Sequence, residues 1–135
     1  MDKNFFNSDT WLNSDLIFDK VDDVHILMKA YRRVLGFSQR KMTERLLCSQ
    51  ATICRYETKQ LRYLSERETN RILYNFSIDF DEILKSRKSR EGKIIFYINI
   101  CTSYLELTKD KKYDDYNNIV NFLINLSEDL RIVRE

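Results

Sequence analysis

From Gln39 to Tyr56 the chain reads QRKMTERLLCSQATICRY, and where this stretch places its apolar and capping residues decides the fold. Met42 and Leu46 stand one helical turn apart, so they share the inward face of a helix of about 39–46. Ser38, just before it, offers a hydroxyl to the otherwise orphan N–H groups of the first turn. Ser49 can do the same for a helix from Gln50 to about Thr58, with Ile53 and Tyr56 on its inner side. Two short helices joined by residues 47–49 follow from these spacings alone.

Working outward, Asp22 or Asp23 can cap an earlier helix of about 24–35, in which Leu27, Ala30, Tyr31 and Val34 recur at helical spacing until Gly36, a residue suited to a left-handed stop. Downstream, Ser65 and Glu68 form the pattern of a capping box opening a fourth helix with Ile72 and Leu73. A fifth helix is expected over about Asp79–Lys88, carrying Phe80, Ile83 and Leu84. Residues 85–93, KSRKSREGK, are basic and free of core-forming side chains, and 89–93 read as a linker. Beyond it, Ile94, Tyr97, Ile98, Cys101, Tyr104 and Leu105 share one helical face, and Tyr116, Ile119, Val120, Leu123, Leu126 and Leu130 another. Two antiparallel helices are expected, turning at about Lys109–Asp114. The β-branched and aromatic content of Ile94–Cys101 leaves a strand open as the alternative.

The chain of 135 residues has no proline and two glycines, Gly36 and Gly92, so the turn chemistry of hairpins is nearly absent. With 43% apolar and 33% charged residues it belongs with globular, all-α proteins. The expected organisation is an N-terminal arm (1–23), a helical body (24–88), the linker (89–93) and a C-terminal helical pair (94–135). The arm carries Phe5, Phe6, Trp11, Leu12, Leu16, Ile17 and Phe18 among Asp and Asn; it either lies on the core or docks a second subunit.

Charge is segregated. Residues 1–23 sum to −4, residues 24–93 to +8 and residues 94–135 to −2, the whole chain to +2. A basic middle between acidic ends suits a body that faces nucleic acid. Cys48, Cys54 and Cys101 are odd in number and lack paired spacing. Without a signal peptide or an apolar run of membrane length, they suggest reduced thiols, a cytoplasmic, nucleoid-associated location and no membrane contact. These cysteines and the single His25 do not make a metal-ligand pattern, and no cofactor is expected. With one histidine, no glycine-rich phosphate loop and no clustered carboxylates, an enzyme is not expected either.

The stretch 39–56 resembles the helix-turn-helix of the Xre and lambdoid-repressor (Cro/C1-type) family. Met42, Leu46, Cys48, Ile53 and Tyr56 fall where that motif places the apolar residues that lock its two helices together. The resemblance spans about 60 residues. It includes Arg32, Gly36-Phe37-Ser38-Gln39 at the entry to the second helix, and Ser77–Leu84 as a closing helix. It implies a five-helix lambda-repressor-like domain. Two positions depart: Leu47 stands where the family has glycine, requiring either a positive φ at about 1–2 kcal/mol or a reshaped turn, and Thr43 stands where alanine is usual.

The resemblance implies that Gln50, Ala51, Thr52 and Arg55 read bases in the major groove. Arg55 suits guanine O6 and N7, Gln50 suits adenine N6 and N7, and Ala51 and Thr52 offer methyl contacts to thymine. Gln39, Arg40 and Ser49 at helix starts, and Lys59, Gln60 and Arg62 after the reading helix, are expected on phosphates. Arg32 and Glu57 are expected to form a structural ion pair.

The function implied is a sequence-specific transcriptional regulator, a repressor, bound to double-stranded DNA as a homodimer on an inverted repeat. Residues 94–135 either dimerise or pack on the body, with dimerisation the preferred expectation. The alternatives are an antitoxin- or antirepressor-like module that meets a protein partner through its arm or tail, and a truncated relative of the Rgg-type regulators, whose N-terminal region the helix order also resembles.

Overall fold

The computed structural model describes residues 13–21, 23–59, 64–109 and 116–135. These form seven helices and, among the described residues, no strand: α1 (Ser14–Phe18), α2 (Val24–Leu35), α3 (Gln39–Leu46), α4 (Gln50–Glu57), α5 (Glu66–Ser86), α6 (Arg90–Thr108) and α7 (Tyr116–Arg134). None of them is long and apolar enough to cross a membrane.

Local capping sets most of the boundaries. Gly36 ends α2 in the left-handed conformation at φ 69°, and its N–H and that of Phe37 return to the Arg33 and Arg32 carbonyls. The Ser38 hydroxyl accepts the Lys41 N–H at 3.0 Å, and that of Ser49 accepts the Thr52 N–H at 3.1 Å. Ser65 and Glu68 complete the reciprocal capping box at 3.0 and 3.1 Å.

Two expectations are corrected. The fourth and fifth helices are one helix of 21 residues, α5. Nothing between Glu66 and Ser86 breaks it, and the Ser77 hydroxyl turns back to the Tyr74 carbonyl at 2.8 Å instead of capping a new start. The linker shrinks to residues 87–89, because the Ser89 hydroxyl accepts the Gly92 N–H at 2.9 Å and opens α6 at Arg90. Ile94–Cys101 is helical throughout, as expected, and not the strand left open as the alternative.

α6 runs through the middle, packed on α2 along one side and α7 along the other. Its Ile94, Phe96, Tyr97, Ile100, Cys101 and Tyr104 are all buried. One aromatic chain runs through the core: Tyr31 stacks on Phe80 at 5.4 Å, Phe80 meets Phe96 at 5.4 Å and Tyr97 at 5.7 Å, and Tyr97 meets Phe122 at 5.8 Å. Residues 94–135 are thus continuous with the body's core, and the apolar side chains of α6 expected to meet a second copy are spent inside the chain. Arg134 reaches Glu91 at 2.8 Å, tying the end of α7 to the start of α6 in the expected antiparallel sense. The expected turn lies largely outside the described residues.

The described part of the arm lies on the body. Ile17 is fully buried, and the Phe18 ring sits 5.1 Å from that of Phe76. The Ser14 N–H donates to Asp81 at 2.7 Å, and the Tyr97 hydroxyl donates to the Asn13 carbonyl. Phe5, Phe6, Trp11 and Leu12 fall outside the described residues.

Candidate nucleic-acid interface

The α3–turn–α4 unit is locked from inside by Met42, Leu46 and Ile53, all fully buried, and by Tyr56. Cys48 is half-buried between them, and loss of solvent pushes its thiol pKa up. At the turn, Leu47 takes the left-handed conformation, φ 55° and ψ 47°, and the Leu47 and Cys48 N–H groups both return to the Thr43 carbonyl. The geometry a glycine would adopt freely is imposed here on a leucine, at about 1–2 kcal/mol. Its side chain is 67% exposed and recovers little by packing. The Asn75 amide of α5 donates to the Leu46 carbonyl at 2.9 Å, pairing an acceptor that the end of α3 leaves open. Thr43 turns its hydroxyl to the Arg40 carbonyl at 2.6 Å and so fits beside the turn.

α4 then presents Gln50, Ala51, Cys54 and Arg55 to solvent. Thr52, expected among the base readers, is corrected: it is only 9% exposed and its hydroxyl shares a 2.8 Å hydrogen bond with that of Ser49. Thr52 lines a groove with Ile72, Glu68 and Arg71 of α5.

The expected phosphate ligands divide. Arg40 is exposed, and its guanidinium takes no ion-pair partner among the described residues. Ser49 is exposed at the start of α4. Gln39 is corrected in part, since its amide donates to Glu57 at 3.2 Å and so serves the anchor of α4. Lys59 sits past the other end of α4, in the left-handed region at φ 62°, with Nζ 3.8 Å from Asp23. Gln60 and Arg62 lie outside the described residues. Arg71, not anticipated, is exposed on the rim of the ≈ 200 Å³ groove that Ser49 also lines.

Arg32 and Glu57 are brought together in fork geometry: Nε to Oε2 at 2.7 Å and Nη2 to Oε1 at 2.9 Å. The Arg32 guanidinium also donates to the Phe37 carbonyl at 3.0 Å, and the Glu57 side chain is 2% exposed. A second buried pair escaped the sequence reading. Asp79, 4% exposed in the middle of α5, accepts Arg45 Nη2 at 2.8 Å and Nε at 3.0 Å, together with the Tyr31 hydroxyl. Burial first, and then the hydrogen bond to Asp79, drives the Tyr31 pKa far up, while the Asp79 hydrogen bond raises that of Arg45. The available signal was a carboxylate inside the Phe76, Phe80, Ile83 stripe, where an unpaired charge is not tolerated.

Among the described residues no group of three or more His, Cys, Asp or Glu is placed to hold a metal ion. No protein-family model matches the chain, and no curated protein or solved structure is significantly similar to it.

Proposed function

We propose that the chain is a sequence-specific DNA-binding repressor that inserts α4 into the major groove. The observation that carries this reading is the α3–turn–α4 unit itself. A short capped helix is clamped from inside by Ile53, Tyr56 and Glu57, and it exposes Gln50, Ala51 and Arg55 on its outer side. Such a helix fits a groove whose base edges present distinct donors, acceptors and methyl groups. In this reading Arg55 and Gln50 make the specifying hydrogen bonds, and Ala51 contacts a thymine methyl. Arg40, Ser49 and Arg71 flank the entry end of α4 and hold phosphates. α2, α3 and α4 take the places of the first three helices of the Xre and lambdoid-repressor domain, and the long α5 replaces the fourth and fifth.

One reading helix touches few base pairs, so a two-fold dimer on an inverted repeat with half-sites about 34 Å apart completes the proposal. With α6 consumed by the core, α7 offers the dimer face, where Ile124 and Ile132 are exposed. The test is selection of bound duplexes from a random pool, followed by affinity measurements with Arg55→Ala. Discrimination should fall by about 1–3 kcal/mol at one base pair, while weak, salt-sensitive binding persists. Selection that enriches no sequence, or an Arg55→Ala variant that discriminates like the parent, overturns the reading.

A further inference from the structure

Behind the C-terminal end of α4, away from its exposed side, the start of α2 and the end of α6 help enclose a cavity of ≈ 240 Å³. Ile26 and Leu107 give it apolar wall, and His25, Lys29, Glu57 and Lys59 give it polar wall. Among the described residues its charge balance is cationic. Glu57 has its carboxylate occupied by Arg32 and Gln39, and it offers the cavity no free negative charge. Lys59 is 66% exposed and reaches Asp23 only at 3.8 Å, a contact weak enough to be exchanged. Lys29 is half-buried on α2, and among the described residues its ammonium has neither a hydrogen bond nor an ion-pair partner. Two lysines that line one cavity concentrate an anion there.

We infer that this cavity binds a small free anion, a phosphate- or carboxylate-bearing ligand, through Lys29 and Lys59, with Ile26 and Leu107 against its hydrocarbon part. The volume is below that of drug-sized sites, which suits a small metabolite. A duplex lying on the exposed side of α4 is on the wrong side of the helix to enter it. A bound anion joins the last turn of α4 to α2 and α6. The site stands apart from the proposed function; only its consequence, a ligand-dependent stiffening of the reading helix, rests on that reading.

The test titrates the full chain with inorganic phosphate and, separately, with succinate, against sodium chloride at matched ionic strength, and follows thermal unfolding. At tenfold excess over Kd, one of the two should raise Tm saturably by about 3–6 °C beyond the chloride control. Lys29→Met should abolish the rise, and Lys41→Met, on exposed α3, should keep it. Should Lys29→Met not fold, the exposed Lys59→Met carries the same test, with an expected loss of affinity of about tenfold. The inference is overturned by no saturable response to either anion, or by an undiminished response in the folded lysine variant. A third arm measures duplex binding without phosphate or succinate. Unchanged affinity in Lys29→Met or Lys59→Met keeps the site a free-ligand site, and loss of affinity there shows that the lysines serve DNA phosphate instead, which also overturns it.

Discussion

The two helices of the α3–turn–α4 unit are fastened by the same chemistry, a buried carboxylate gripped by an arginine fork, in different surroundings. At the end of α4, Glu57 is held by Arg32 and Gln39, and Arg32 keeps a carbonyl partner at Phe37 and some solvent. At α3, Arg45 reaches across to Asp79, whose carboxylate also receives the hydroxyl of fully buried Tyr31. The first anchor joins α4 to α2 and to the start of α3, while the second ties α2, α3 and α5 at one point. The comparison shows how the unit is held: α4 by a clamp at its end, α3 by a knot inside the core.

The knot should therefore be the more costly to cut. Asp79→Ala takes both carboxylate bonds from Arg45 and leaves the buried Tyr31 hydroxyl only the backbone carbonyl of residue 79, and should cost about 3–5 kcal/mol in urea unfolding. Glu57→Ala leaves Arg32 its Phe37 bond and deprives no buried hydroxyl, and should fall at or below the lower end of that range. The reverse ranking would break the comparison. Replacing the knot's ion pair by apolar side chains, Arg45→Met with Asp79→Leu, should recover most of the loss, because the penalty lies in the stranded partners rather than in a missing attraction.

The contrast also explains what sequence could and could not disclose. Ser38, Ser49, Ser65 and Gly36 act on backbone groups within four residues of themselves, so the starts of α3, α4 and α5 and the end of α2 were legible. Asp79 was read as the start of a new helix because its local pattern resembles one. Only the burial of Phe76 and Phe80 on either side, with Arg45 arriving from α3, keeps it mid-helix. Thr52 was assigned outward because nothing near it in sequence reveals that α5 borders its side of the turn. The central place of α6 had a signal that was passed over. Phe96 and Ile100 lie off the Ile94–Cys101–Leu105 face, and a helix apolar all round belongs in the interior.

The turn between the anchors gives a smaller effect of opposite sign. Leu47 bears a left-handed φ of 55° with its side chain largely in water, so Leu47→Gly relieves backbone strain and forfeits little packing. After allowance for the greater freedom of glycine in the unfolded chain, the gain should be about 0.5–1 kcal/mol. A loss of stability instead would mean that Leu47 contributes more to the groove beside Thr52 and Ile72 than its exposure indicates.

The smallest effect belongs to the start of α5, where both anchors give way to surface capping. The Ser65 N–H and then the Ser65 side chain hold the Glu68 carboxyl below its ordinary range, with Arg55 adding a favourable charge. Because the folded pKa is depressed, the stabilisation is fully present above the ordinary carboxylate range and is lost as pH falls through the folded value. Ser65→Ala should cost about 1 kcal/mol at neutral pH. It should reduce the part of the acid limb due to Glu68 only in part, because the Ser65 N–H remains, so Glu68→Gln should still flatten that limb further in the Ser65→Ala background. Because Arg55 is both a base reader in the proposed function and a neighbour of Glu68, the same titration on the DNA complex should show the Glu68 carboxyl shifting upward as Arg55 turns to the duplex. A Glu68 titration unmoved by DNA would separate the cap from the reading face.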